Sequence, residues 1–153
     1  MLLPYRFAEG STPVRTSCLS PEDCAGIVRA AIGEAIDEQE HLYVVCLNVR
    51  NEVLDLVLVS KGTVSNVAAH PRDVFRVALK ANAYSIVLAH NHPSGNPTPS
   101  HEDVILTDQF EQAGKLLGIP LIDHVVVTAH GHTSIAEYRE NGSRFSSSLI
   151  ELF

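Results

Sequence analysis

Two histidines, a serine and an aspartate share one run of fourteen residues, His90-Asn91-His92-Pro93-Ser94-Gly95-Asn96-Pro97-Thr98-Pro99-Ser100-His101-Glu102-Asp103. Two imidazoles and one carboxylate are three ligands for a tetrahedral zinc ion. They leave the fourth position open for water, which separates catalytic zinc sites from structural ones. The chemistry to expect from such a set is hydrolysis by metal-activated water.

The flanking segments could bring these residues together. Tyr84-Ser85-Ile86-Val87-Leu88-Ala89 is a short apolar run rich in β-branched residues and reads as a buried strand that ends at His90. Side chains at i and i+2 of an extended segment face the same way, so His90 and His92 can converge just past the strand end. Pro93 stops further pairing, and Ser94-Gly95-Asn96-Pro97 is turn chemistry. Ser100 opens a helix whose inward stripe is Leu106, Phe110, Ala113 and Leu117, closed by Gly118 and Pro120. Asp103 lies in its first turn, within reach of the strand end. Taken alone, Ser100-x-x-Asp103 is equally a helix capping box, and the same pattern recurs at Ser20-Pro21-Glu22-Asp23 without nearby histidines. A second His-x-His, His130-Gly131-His132, stands in an expected hairpin turn. The metal reading therefore rests on the combination of strand exit, loop and helix start.

That combination resembles the JAMM (MPN+) metalloprotease motif, His-x-His-x7-Ser-x-x-Asp, matched at His90, His92, Ser100 and Asp103. The form HNHPSG, preceded by SIVLAH and followed by PTPSHED, resembles the RadC branch of that superfamily. GTVSNVAAHPRDVFRVALKANA, LGIPLIDHVVV and TSIAEYRENG resemble the segments around the motif in RadC proteins, the last as their closing strand and turn, so the resemblance spans roughly residues 17 to 142. It implies a cytidine-deaminase-like fold, one zinc ion per chain held by His90, His92 and Asp103, and cleavage of peptide or isopeptide bonds. Glu40, in QEHLYVV ahead of the next strand, corresponds to the JAMM catalytic glutamate that shuttles a proton from water to the leaving amine. From the residues alone, Glu34, Asp37, Glu38 and Glu40 would simply solvate a surface. By the same resemblance Ser100 donates to the developing oxyanion. His124 matches the Asp-His of the family and is assigned either to hydrogen-bonding a metal ligand from behind or to the core.

The remaining chain supplies the scaffold. A chain of 153 residues, 45% hydrophobic and 19% charged, has the composition of one globular domain. Residues 1–19 read as an N-terminal arm, 20–142 as the JAMM-type domain and 143–153 as a C-terminal tail. Ser20 caps a helix with Pro21 at its first position and a stripe of Cys24, Ile27, Val28, Ala31, Ile32 and Ala35. Leu42–Val49 and Val53–Ser60 are expected as a hairpin around Arg50-Asn51-Glu52. A second helix is expected over 71–82, a strand at His124–Thr128 and a short strand at Thr133–Ala136. Strands joined by helices predict a three-layer α/β/α sandwich with a mixed sheet.

The same residues weigh against other functions. No apolar stretch approaches the ~20 residues of a membrane span, and the N-terminus lacks the features of a signal peptide. Cys18, Cys24 and Cys46 are odd in number and lack Cys-x-x-Cys spacing, which fits a reducing cytoplasm. RadC proteins are associated by name with DNA repair. Their helix-hairpin-helix module, the part expected to approach DNA, is not expected in so short a chain. The net charge is −7 and the 11 basic residues are scattered, so direct DNA binding is disfavoured. Two alternatives to the peptidase reading are a DNA-processing protein (a metal-dependent nuclease, with a second metal or a basic groove, or a repair accessory factor) and a binding module that holds zinc without catalysis. A cytidine deaminase is disfavoured because its His-x-Glu and Pro-Cys-x-x-Cys elements are absent. The apolar end Leu149-Ile150-Glu151-Leu152-Phe153 offers a homo-oligomer contact.

Overall fold

The computed structural model describes residues 16–62 and 69–150, with the backbone alone described for 143–150. Helix α1 (Pro21–Ile32) starts where Ser20 Oγ accepts the Asp23 amide and Pro21 fills the first position. A 3-10 turn, Gly33–Asp37, leads to strand β1 (His41–Leu47). Asn51, in the left-handed region at φ 58°, turns the chain into β2 (Val53–Lys61). Helix α2 (Pro71–Lys80), β3 (Ser85–Asn91), α3 (His101–Leu117), β4 (Leu121–Val127), β5 (His132–Ser134) and α4 (Ile135–Ile150) follow.

The strands form one sheet in the order β2-β1-β3-β4-β5. Strand β1 pairs antiparallel with β2 and β3, β3 pairs parallel with β4, and β5 returns antiparallel to β4. The parallel pair needs a crossover, and α3 provides it.

Strand alternation divides the core. Leu42, Val44, Cys46, Ile86 and Leu88 pack on one face against Val74 and Phe75 of α2 and Leu106 and Phe110 of α3. Tyr43, Val45, Leu47, Val87 and Ala89 pack on the other against Cys24, Ala25, Val28 and Ile32 of α1. Both faces of β1 and β3 are covered, which is why these strands read as unbroken apolar runs rather than alternating ones. The result is the expected α/β/α arrangement with a mixed sheet.

Several boundaries depart from the sequence reading. The final strand stops at Ser134, and Ile135 begins α4, so Thr133–Ala136 and TSIAEYRENG hold a strand-to-helix junction rather than a closing strand and turn. Arg139 anchors α4 to α3 through Asp108 and Glu111. Strand β4 begins at Leu121, three residues before the expected His124. Leu117, expected on the inward stripe of α3, is 47% exposed, and Gly114 is buried in its place. The Ile119 carbonyl lies 2.5 Å from where a Cβ on residue 114 would stand, so the return of the chain over the end of α3 needs a glycine there. Within the expected N-terminal arm, the Cys18 amide bonds the Asn51 carbonyl and Thr16 O accepts the Val53 amide. The rest of the arm, residues 1–15, lies outside the described residues, as do the side chains of Leu149–Phe153.

Candidate metal centre

Strand β3 sets the first two groups. His90 shares the face of Ile86 and Leu88 and is fully buried against α3. His92 lies one step beyond the strand, where its amide still bonds the Val127 carbonyl of β4. The chain then turns through Gly95 at φ 82°, whose amide closes on the His92 carbonyl.

Asp103 arrives from the first turn of α3, and its carboxylate is shared. Oδ2 accepts the Ser100 amide at 2.8 Å, while Ser100 Oγ accepts the Asp103 amide at 3.1 Å. The capping box is therefore real, and it aims the same carboxylate at the histidines. Oδ1 lies 3.3 Å from His90 Nε2 and Oδ2 lies 3.2 Å from His92 Nε2. The two Nε2 atoms are 2.9 Å apart. Each histidine thus faces a different oxygen of the one carboxylate, and one ligand atom from each of the three residues lies within 4.8 Å of the other two. His90, His92 and Asp103 could thus hold a metal ion, and no other group of three or more such side chains comes together among the described residues.

Proton affinities in the cluster follow its charges. Burial pushes the Asp103 carboxyl up, but the contacts from His90 and His92 outweigh it and hold the group well below the usual carboxylate range. The hydrogen bond to Asp103 raises His92 against the opposing effect of burial. Burial, reinforced by the neighbouring His90, drives His124 well below the ordinary imidazole value, so it is neutral.

Glu40, Ser100 and His124 lie beside this centre, and the remaining histidines do not join it. Glu40, Ser100, Glu102, His92 and Asp103 line one cleft of about 330 Å³. His124, fully buried on β4, touches the back of His90, with Nε2 at 2.7 Å from His90 Nδ1. His101 is exposed on α3, His70 caps α2, and His132 lies on the edge strand facing Glu22.

Two residues that the sequence reading passed over organise the site. Asn91, between the two histidines, faces the opposite side of the sheet and is fully buried. Its Nδ2 donates to the carbonyls of Ile36 and Gln39, at 2.8 and 2.9 Å, and its Oδ1 accepts the His41 amide at 2.7 Å. It ties down the segment that carries Glu40. Thr107, one turn after Asp103, reaches both the Asp103 carbonyl and His124 Nδ1 at 2.7 Å. Each is a polar residue at an inward position of an otherwise apolar pattern, and that is the signal by which it could have been found.

Relatives of this chain carry the name UPF0758. A UPF0758 protein of Rubrobacter xylanophilus is 42% identical over 136 residues, 89% of this chain and 59% of its own length. One from Desulforamulus reducens is 38% identical over 133 residues, 87% of this chain and 58% of its own. One from Symbiobacterium thermophilum is 47% identical over 103 residues, 67% of this chain and 43% of its own. The chain spans about half the length of the curated relatives it matches. The sequence profile described as "RadC-like JAB domain" matches residues 18–142, which include every side chain placed in this site, and the chain belongs to that family.

Proposed function

We propose that this chain is a zinc-dependent hydrolase that cuts amide bonds in peptide or isopeptide substrates. The observation that carries this reading is the meeting of His90, His92 and Asp103, with one ligand atom of each within 4.8 Å of the others, beside a cleft that also presents Glu40 and Ser100. Zinc, when bound, would lower the pKa of water to about 7 and polarise the substrate carbonyl. Imidazole and carboxylate suit zinc among the common ions, and an open fourth position suits catalysis.

The chain's own residues then divide the work. Glu40 accepts a proton on its carboxylate and returns it to the leaving amine, a role worth about 10²–10⁴-fold in rate. Ser100 Oγ already accepts the Asp103 amide, so its hydroxyl proton is left to donate to the developing oxyanion. The cap and the catalytic role are compatible because one uses a lone pair and the other the proton. Among the described residues no helix is long and apolar enough to cross a membrane, and Cys18, Cys24 and Cys46 are unpaired. Both fit action on a soluble substrate in a reducing cytoplasm.

Metal content measured by mass spectrometry is expected to give about one zinc per wild-type chain and none in His92→Ala or Asp103→Ala. Glu40→Gln should keep the zinc and lose roughly 10²–10⁴-fold in hydrolysis of whichever quenched peptide or isopeptide-linked probe the wild type accepts. A wild type that holds no zinc after loading would overturn the metal reading. A Glu40→Gln variant as active as wild type would overturn the assigned proton shuttle.

A further inference from the structure

A histidine can bind a metal through Nε2 only if that nitrogen carries no proton, and a neutral imidazole must place its one proton on the other nitrogen. His92 meets this condition simply. Its Nδ1 lies 2.9 Å from the Asn96 carbonyl, which can only accept, so Nδ1 keeps the proton. His90 has no such carbonyl. Its Nδ1 faces another imidazole, His124 Nε2, at 2.7 Å, and either ring could be the donor.

The direction is decided two contacts away. Thr107 Oγ1 lies 2.7 Å from the Asp103 carbonyl of its own helix, the i−4 back-bond habitual for threonine inside a helix. That carbonyl accepts only, so the single hydroxyl proton of Thr107 is used there. The contact of Thr107 Oγ1 with His124 Nδ1, also 2.7 Å, then requires His124 Nδ1 to donate. The His124 ring is fully buried and its hydrogen-bond partners are Thr107 and His90, with no carboxylate to balance a second proton, so with Nδ1 donating its Nε2 accepts from His90 Nδ1. His90 Nε2 is therefore bare on the side that faces His92 and Asp103. Thr107 is 1% exposed, and His90 and His124 are fully buried, so water does not offer the chain another partner.

We propose that Thr107, acting through His124, is a positioning residue that locks His90 in its Nδ1–H tautomer and so presents the Nε2 lone pair to the metal. This rests on the reading of His90 as a ligand. The polarity originates in the backbone carbonyl of Asp103, itself a ligand residue, so one turn of α3 orients two of the three groups. Outer hydrogen-bond partners of this kind typically alter metal affinity by 10–100-fold when lost.

The test is to record histidine side-chain ¹H–¹⁵N correlation spectra of the metal-free full chain and to measure zinc affinity by chelator competition, in wild type, Thr107→Val and Thr107→Ser. Valine keeps the volume but has no acceptor, so His124 is free to move its proton to Nε2 and donate to His90. The expected result is a shift of His90 to the Nε2–H form and a loss of roughly 10–100-fold in zinc affinity. Serine retains the back-bond and should retain the Nδ1–H tautomer and the affinity. Should valine unfold the chain, Thr107→Ala removes the hydroxyl without a new branch and is read in the same way. A Thr107→Val protein that folds, keeps His90 in the Nδ1–H form and binds zinc as wild type would overturn the proposal, whatever its stability. Failure of the ligand reading shows separately, as a His90→Ala variant that binds zinc like the wild type while the tautomer spectra still report the direction of the chain.

Discussion

At the residue scale, one group often serves two purposes that a sequence motif presents as alternatives. Asp103 caps α3 and faces both histidines, because a carboxylate has two oxygens and several lone pairs. The cysteines show the opposite case, in which burial removes chemistry. Burial, together with the nearby Asp55 charge, pushes the Cys46 thiol up to about 12. At pH 8 only about one thiol in 10⁴ of that kind is ionised, and the thiolate is the reactive form. The hydrogen bond from Cys24 lowers Cys18, whereas its partner Cys24 is raised. Maleimide labelling of the native protein at pH 8, read by peptide mass spectrometry, should modify Cys18 first and leave Cys46 untouched until urea unfolds the chain. Raising the pH toward 12 should increase Cys46 ionisation, never lower it. Native Cys46 reacting as fast as Cys18 would contradict this ordering.

At the scale of elements, the tripeptide His90-Asn91-His92 does its work through the two-residue period of an extended chain. The histidines reach one face and Asn91 the other, where it holds the approach to β1. The same period made the metal strand legible in the sequence, since a β-branched run ending in His-x-His specifies both the strand and the shared direction of its imidazoles. The caps of α1 and α3 were legible for a local reason too: Ser20 and Ser100 each bond an amide three residues on. What was not legible depends on partners distant in sequence. Asn91 contacts residues more than 50 positions away, and Thr107 meets His124 across 17. Strand β5 yields to α4 at Ile135, and no period in so short a segment marks that change. Replacing Asn91 with alanine would strand the buried Ile36 carbonyl and the His41 amide, while the Gln39 carbonyl keeps its contact with His41 Nδ1. A cost of about 2–4 kcal/mol in urea unfolding is expected, with each unsatisfied buried group costing about 1–3 kcal/mol. A loss below about 0.5 kcal/mol would mean that this segment finds other partners.

At the scale of the whole molecule, two apolar cores on either side of the sheet give the fold a driving force of its own, unlike a zinc finger, which is unfolded without its metal. The ion would instead join β3 to the start of α3, two elements linked in sequence only by the turn-rich loop between them. A ligand that binds the native state alone stabilises it by RT ln(1 + [L]/Kd), about 4 kcal/mol at a thousandfold excess over Kd. For a chain of this size that corresponds to a rise in Tm of about 8–16 °C. Calorimetry should therefore show a cooperative transition without metal, an increase of this order with zinc, reversal by chelator, and no increase in His92→Ala. Loss of the cooperative transition on chelation would instead make the ion a structural element of the fold. A transition indifferent to zinc would leave the cluster as a buried ion pair beside a helix cap.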